Sequence, residues 1–174
     1  AQVNIIPGLP EETEAQTEER CHQLGLEHAA RLEAQGHRCY DVPMGGASPV
    51  GSAAFIGGYL ELMQQCEAAG IAPTHVYAAT GTGGTLAGLV AGHQALEAGP
   101  EIVGVAVSRK DEGYEGRCAA LANASLAWLG SDVRVTADDF TVDRGYFEPG
   151  YEQPNEAANE AIRLLARTEG LLTD

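Results

Sequence analysis

The chain has 174 residues, enough for one ordinary domain that buries roughly 70% of its unfolded surface. Ten basic residues against twenty-five acidic ones leave a formal charge of -15, which repels nucleic acid and anionic membrane surfaces over most of the exterior. The four cysteines, Cys21, Cys39, Cys66 and Cys118, form no C-x-x-C pair, which disfavours a zinc ribbon or a redox dithiol. No run reaches the roughly 18 apolar residues of a membrane span, and "AQVNIIPG" at the start lacks the basic flank and apolar centre of a signal peptide. The composition reads as that of a cytoplasmic protein with reduced thiols.

Short β-rich runs alternate with longer helical ones, the pattern of an α/β protein with a mostly parallel sheet. In chain order the spacing predicts a strand at 3–6, a helix over about 11–35, a strand at 38–43 and a helix at 49–69. A strand at 75–80, a helix at 84–98, a strand at 102–108, a helix at 114–129, a strand at 133–140 and a helix at 156–169 follow. The acidic run "EETEAQTEER" reads as the solvated face of the first helix. The strands at 75–80 and 102–108 are almost continuous in small and apolar residues, which suits strands covered on both faces. Gly36, Gly70, Gly99 and Gly170 fall where a helix wants a left-handed residue after its last turn, and Asn155 suits the cap of the last helix. In that helix Ala158, Ile162, Leu165 and Ala166 share one stripe. The composition changes near "DVPMGGASPVG", which suggests a boundary near residue 43 between an acid-rich part and a part rich in glycine and alanine.

"HVYAATGTGGTLAG" carries the main functional signal. Gly81 to Thr85 lie where a strand gives way to a helix, at the carboxyl end of a parallel strand, where ligands collect in open α/β sheets. The first turn of a helix leaves amides unpaired, and glycines let an anion approach them closely. A phosphate group is therefore the natural guest. A nucleotide-hydrolase loop needs G-K-[ST], and Lys110 is the single lysine of the chain. A dinucleotide fingerprint starting at Gly81 meets Leu86 where its third glycine belongs. A nicotinamide-dinucleotide domain and a tight packing turn without ligand stay open as alternatives.

Lys110 follows a strand but precedes the polar "DEGYEGR", which provides no apolar pocket to lower its pKa, so a surface loop lysine is expected. The five histidines, His22, His28, His37, His75 and His93, show no ligand spacing. Cys21 and His22 would point about 100° apart on a helix, so no metal site is expected.

"GTGGT" between a strand and a helix resembles the phosphate-binding loop of pyridoxal-phosphate enzymes of fold type II. With "YDVPMGGASPVGSAAFIGGYLELMQQC", "IVGVAVSR" and "GYFEPGYEQPNEAANEAIRLLARTEGLLTD" in this order, the chain resembles the D-cysteine desulfhydrase and 1-aminocyclopropane-1-carboxylate deaminase family over essentially its whole length. The resemblance implies a three-layer α/β sandwich of the tryptophan synthase β type, truncated at both ends. Residues 1–43 would be a remnant of the smaller lobe, and residues 44–174 an incomplete larger lobe binding pyridoxal 5'-phosphate.

The same resemblance implies a lyase or deaminase acting on a small amino acid, of the D-cysteine desulfhydrase, L-cysteate sulfo-lyase or aminocyclopropane-carboxylate deaminase type, commonly dimeric. Gly81, Thr82, Gly83, Gly84 and Thr85 match the family's phosphate loop. Tyr151 matches a catalytic tyrosine of deaminase-like members, where a phenol can shuttle a proton, although Glu152 stands where a glycine is usual. Gly45, Gly46, Ala47 and Ser48 match a "G-G-S-N"-like turn, with Ala then Ser in place of Ser then Asn. The family carries its coenzyme on a lysine in an "N-K-x-R-K"-like segment, which these residues lack, so the chain is expected to be a fragment that is inert alone. The alternative is a non-catalytic module that binds a phosphorylated ligand or assembles with a partner.

Overall fold

A computed structural model describes residues 3–9, 11, 14–151 and 153–173, with the backbone alone at 14 and 15. The chain divides into two compact units, residues 1–44 and 45–174. The first unit is built on helix α1, Glu14–Glu33. Gly36, at φ +89, ends it: its amide reaches Glu33 O and that of His37 reaches Leu32 O, a left-handed stop that satisfies the last carbonyls. Arg20 donates to Pro7 O at 2.7 Å and His22 contacts Asp41 at 3.2 Å, tying the flanking segments to the helix.

The expected strands at 3–6 and 38–43 are irregular segments. Val3, Ile5, Tyr40 and Val42 are exposed, and this unit contains no described strand for them to pair with. An apolar run becomes a strand only when a neighbour takes its amides and carbonyls.

The second unit opens with α2, Pro49–Ala69. The Ser48 side chain accepts the Gly51 amide at 3.1 Å and Pro49 begins the first turn, a position at which its missing N–H costs nothing. Gly70, at φ +67, closes it. Strand β1, His75–Thr80, leads into α3, Gly84–Leu96; β2, Glu101–Ala106, leads into α4, Tyr114–Trp128; β3, Thr141–Asp143, precedes α5, Glu156–Thr168. Among the described residues the sheet is parallel in the order β1-β2-β3, with His75 opposite Glu101 and Val103 opposite Thr141.

Alternation along β1 turns Val76, Ala78 and Thr80 toward the helices and leaves His75, Tyr77 and Ala79 exposed. Ile56 and Tyr59 of α2, Leu86 and Val90 of α3, Ile102 of β2 and Leu126 of α4 form one core with Val76 and Ala78 against it. Helices α2 and α3 approach closely because Gly84, Gly88 and Gly92 recur every four residues on the facing stripe. A Cβ on Gly88 would collide with Ser52 O and one on Gly92 would lie 2.8 Å from Tyr59 Cβ.

Two boundaries differ from the sequence reading. The third strand falls at 141–143, not 133–140. The Asn123 amide takes both backbone groups of Val135, donating to its O at 2.7 Å and accepting from its N at 3.0 Å, while a capping box between Thr136 and Asp139 winds Ala137–Asp139 into a 3-10 turn. Helix α3 stops at Leu96 because Glu97, not Gly99, adopts the left-handed cap, at φ +54 with its amide on His93 O. Helix α5 is capped by Asn155, which accepts the Ala158 amide at 3.2 Å, and none of its residues is buried. Among the described residues no helix is long and apolar enough to cross a membrane.

Candidate functional site

Residues 81–85 cross from the end of β1 to the start of α3, as the spacing predicts. Gly83 precedes the helix at φ +92 with no side-chain cap. The first intrahelical bond runs from Ala87 N to Gly83 O, so the amides of Gly84, Thr85 and Leu86 have no carbonyl in the helix to pair with. The first turn carries no acidic residue. Among the described residues, no hydrogen bond engages the Thr82 or Thr85 hydroxyl. This is a set of neutral donors at the positive end of a 13-residue helix.

The glycines of the loop are not equivalent. A Cβ on Gly83 would lie 2.7 Å from Cys118 Sγ and 3.2 Å from Tyr114 Oη, whereas one on Gly81 would meet only Val107 Cγ2 at 3.5 Å. A Cβ on Gly84 would lie 3.2 Å from Ala47 Cα. The turn 45–48 therefore packs directly on the loop, and a Cβ on Gly45 would collide with the Thr82 hydroxyl. Ser48 within that turn spends its hydroxyl on the α2 cap, with Gly51 N at 3.1 Å and Gly46 O at 3.4 Å, which makes it a structural residue.

Beneath the loop lies a polar group that the sequence reading does not single out. Tyr114, 4% exposed, donates from its phenol to Gly81 O at 3.1 Å and meets Thr80 Oγ1 at 2.7 Å. Burial pushes its pKa up to about 12, so the phenol keeps its proton at ordinary pH. Desolvation also raises the Cys118 thiol, leaving it protonated and unreactive. Lys110 is half-buried: its Nζ donates to Ser108 Oγ at 2.7 Å and lies 5.1 Å above the Tyr114 ring. It is thus a packed residue, and the "DEGYEGR" segment supplies an aromatic face through Tyr114. The Ser52 hydroxyl is fully buried without a hydrogen-bond partner, 3.5 Å from the point a Gly84 Cβ would occupy.

Tyr151 lies in the loop between β3 and α5, 61% exposed, and no described hydrogen bond or ring contact joins it to residues 81–85. Residue 152, noted in the sequence for replacing a glycine, lies outside the described residues. Among the described residues, no group of three or more His, Cys, Asp or Glu side chains is placed to hold a metal ion.

Helix-terminal amides with no carbonyl partner in the helix, two uncommitted hydroxyls and an absence of carboxylates from the first turn together fit a phosphate ester. The fold and the loop define a class: a parallel α/β sheet with a glycine-rich loop where a strand meets an uncapped helix. The model of the family described as pyridoxal-phosphate dependent enzyme matches residues 13–174, and the chain belongs to that family.

Within it, the chain is 41% identical over 146 residues to the D-cysteine desulfhydrase of Salmonella typhi, a match covering 84% of this chain and 43% of that protein. The D-cysteine desulfhydrase of Salmonella paratyphi B matches equally, at 41% over 146 residues. The crystal structure of an ACC deaminase homologue superposes with a TM-score of 0.77 at 28% identity, covering 89% of this chain and 46% of that one. The fold is therefore the parallel α/β architecture of pyridoxal-phosphate fold type II. The chain spans less than half the length of the curated relatives it matches.

Proposed function

We propose that this chain works within a pyridoxal-phosphate-dependent lyase or deaminase of small amino acids, and that its own share of the work is to hold the coenzyme's phosphate on Gly81, Thr82, Gly83, Gly84 and Thr85. D-Cysteine, a sulfonated cysteine analogue and aminocyclopropane carboxylate are the candidate substrates, in line with the names of the similar proteins. When bound, the coenzyme supplies an electron sink for a bond breaking at the amino acid's α-carbon or its neighbour. The open amides of the first α3 turn bind the anion, and Thr82 and Thr85 add hydroxyl donors. In this reading residues from about 44 onward form the coenzyme-binding lobe and the earlier ones part of a smaller lobe.

Tyr151 is proposed as the phenol that exchanges a proton with the substrate; its exposure and its freedom from described hydrogen bonds support this. Lys110, engaged by Ser108 and stacked on Tyr114, does not carry the coenzyme covalently, so the 174-residue chain binds without turning over. We also propose that the chain self-associates, as the exposed face of β1 favours.

The observation that carries the reading is the uncapped α3 terminus behind Gly83, in a chain of this family. The test is a titration of the chain with pyridoxal phosphate, inorganic phosphate and a nicotinamide dinucleotide, followed by borohydride reduction and peptide mapping. Pyridoxal phosphate and phosphate should both raise the melting temperature, as any ligand of the folded state does, and no stable label should form. Stabilisation by the dinucleotide alone would reject the reading, and stoichiometric labelling of Lys110 would reject its non-catalytic part. Tyr151→Phe should leave phosphate affinity unchanged.

A further inference from the structure

The Tyr114 phenol has one proton and three polar neighbours: Thr80 Oγ1 at 2.7 Å, Gly81 O at 3.1 Å and the protonated Cys118 thiol, a weak partner beside the two oxygens. A carbonyl can only accept, so the phenolic proton goes to Gly81 O, and the hydroxyl of Thr80, 2% exposed, donates its own proton to the phenol oxygen. The chain Thr80 O–H to Tyr114 O–H to Gly81 O=C is thereby satisfied, and each bond polarises the next. A trans peptide holds its C=O and the following N–H on opposite sides of one plane. Fixing the Gly81 carbonyl against a phenol that is 4% exposed therefore fixes the Thr82 N–H on the opposite side, at a residue that is itself exposed. Gly83 leaves room for the phenol, since a Cβ there would stand 3.2 Å from Tyr114 Oη.

We infer that Tyr114, with Thr80 behind it, is a positioning residue that acts through the Gly81 carbonyl to aim the Thr82 amide outward as an additional anion donor of the loop. The inference rests on the phosphate-binding reading of residues 81–85 and adds to it a residue 29 positions beyond the loop. Tyr114 contacts no ligand in this account. Its effect is on the orientation of one peptide plane.

Tyr114→Phe keeps the ring beneath Lys110 and Arg117, whose cations lie 5.1 and 6.0 Å from its centroid, and removes the donor. Binding of inorganic phosphate and of pyridoxal phosphate, followed by the amide shifts of Thr82 and Thr85, should weaken about fivefold, the worth of one ordinary hydrogen bond. Thr80→Val reaches the same contact from the strand side and should weaken it about twofold, since the phenol can still donate. Val135→Ala, a buried change outside the site, should lower stability and leave affinity unmoved. Equal affinity in wild type, Thr80→Val and Tyr114→Phe overturns the inference.

Residual dipolar couplings of the Thr82 N–H, measured without ligand, separate this inference from the reading beneath it. A changed coupling in Tyr114→Phe supports the positioning role, and an unchanged one rejects it. A wild type whose loop amides ignore both phosphate probes rejects the phosphate-binding reading instead.

Discussion

Gly83 and Gly81 are two residues apart in one motif, yet their surroundings demand glycine to different degrees. At φ +92 an alanine is strained by roughly 1–2 kcal/mol, and its Cβ would enter the space of Cys118 Sγ at 2.7 Å, an overpacking that costs about 1–3 kcal/mol. Gly83→Ala should therefore destabilise the fold by about 2–5 kcal/mol in urea denaturation. Gly81, with negative φ and a contact of 3.5 Å, should tolerate alanine to within about 1 kcal/mol. Equal costs for the two would contradict the geometry. Tyr114 adds a pH dependence of definite sign. Its pKa is about 12 in the folded chain and 10.0 in the reference state, so between these values the unfolded chain loses a proton that the folded chain keeps. The resulting stability is fully present below pH 10 and is lost as pH climbs through about 12. Burial raises the Tyr59 phenol as well, so the contribution of Tyr114 is the difference between wild type and Tyr114→Phe in denaturant titrations across that window. A difference that does not shrink with rising pH would count against it.

Between elements, the approach of α2 to α3 decides where the loop can sit, because the turn 45–48 and the first residues of α3 touch through Ala47 and Gly84. Alanine at a solvent-exposed helix position gains up to about 1 kcal/mol over glycine. At Gly88 the sign reverses, since the added carbon meets Ser52 O and lies 2.5 Å from Phe55 Cβ, and Gly88→Ala should cost about 1–3 kcal/mol. A stabilised variant in thermal melts would show that the helices part easily. The five described helices are legible in the sequence because their end signals, Gly36, Gly70 and Asn155 among them, act locally. So is the ladder of β1 with β2, since both runs are apolar and separated by a helix-length connection. The third strand is not, because Asn123 and Asp139 satisfy the backbone at 135–136 with side chains, a competition that hydropathy does not register. The glycine loop is legible as the crossing from β1 to α3, while Tyr114 and Thr80 beneath it are not. They meet across 34 positions, and only the docking of α4 against the sheet brings them together.

At the scale of the whole molecule, two features oppose each other. One face of β1 is exposed: Tyr77 is 67% exposed and, among the described residues, its ring stacks only on His75 of its own strand, at 5.9 Å, with His75 in contact with Glu101 at 3.3 Å. Open aromatic surface on a parallel sheet favours cover by a second surface. The net charge of -15 repels a second copy, and this repulsion reaches about 30 Å in 0.01 M salt but only about 8 Å in 0.15 M. If copies of the chain meet through the Tyr77 face, association should strengthen as salt rises across that range, the reverse of an interface held by ion pairs. Sedimentation velocity at the two salt concentrations measures this, and Tyr77→Lys should abolish the association while leaving the circular dichroism unchanged, because Tyr77 lies outside the core. A chain that stays monomeric at both ionic strengths, or that associates equally well with lysine at position 77, would rule this face out as the meeting surface.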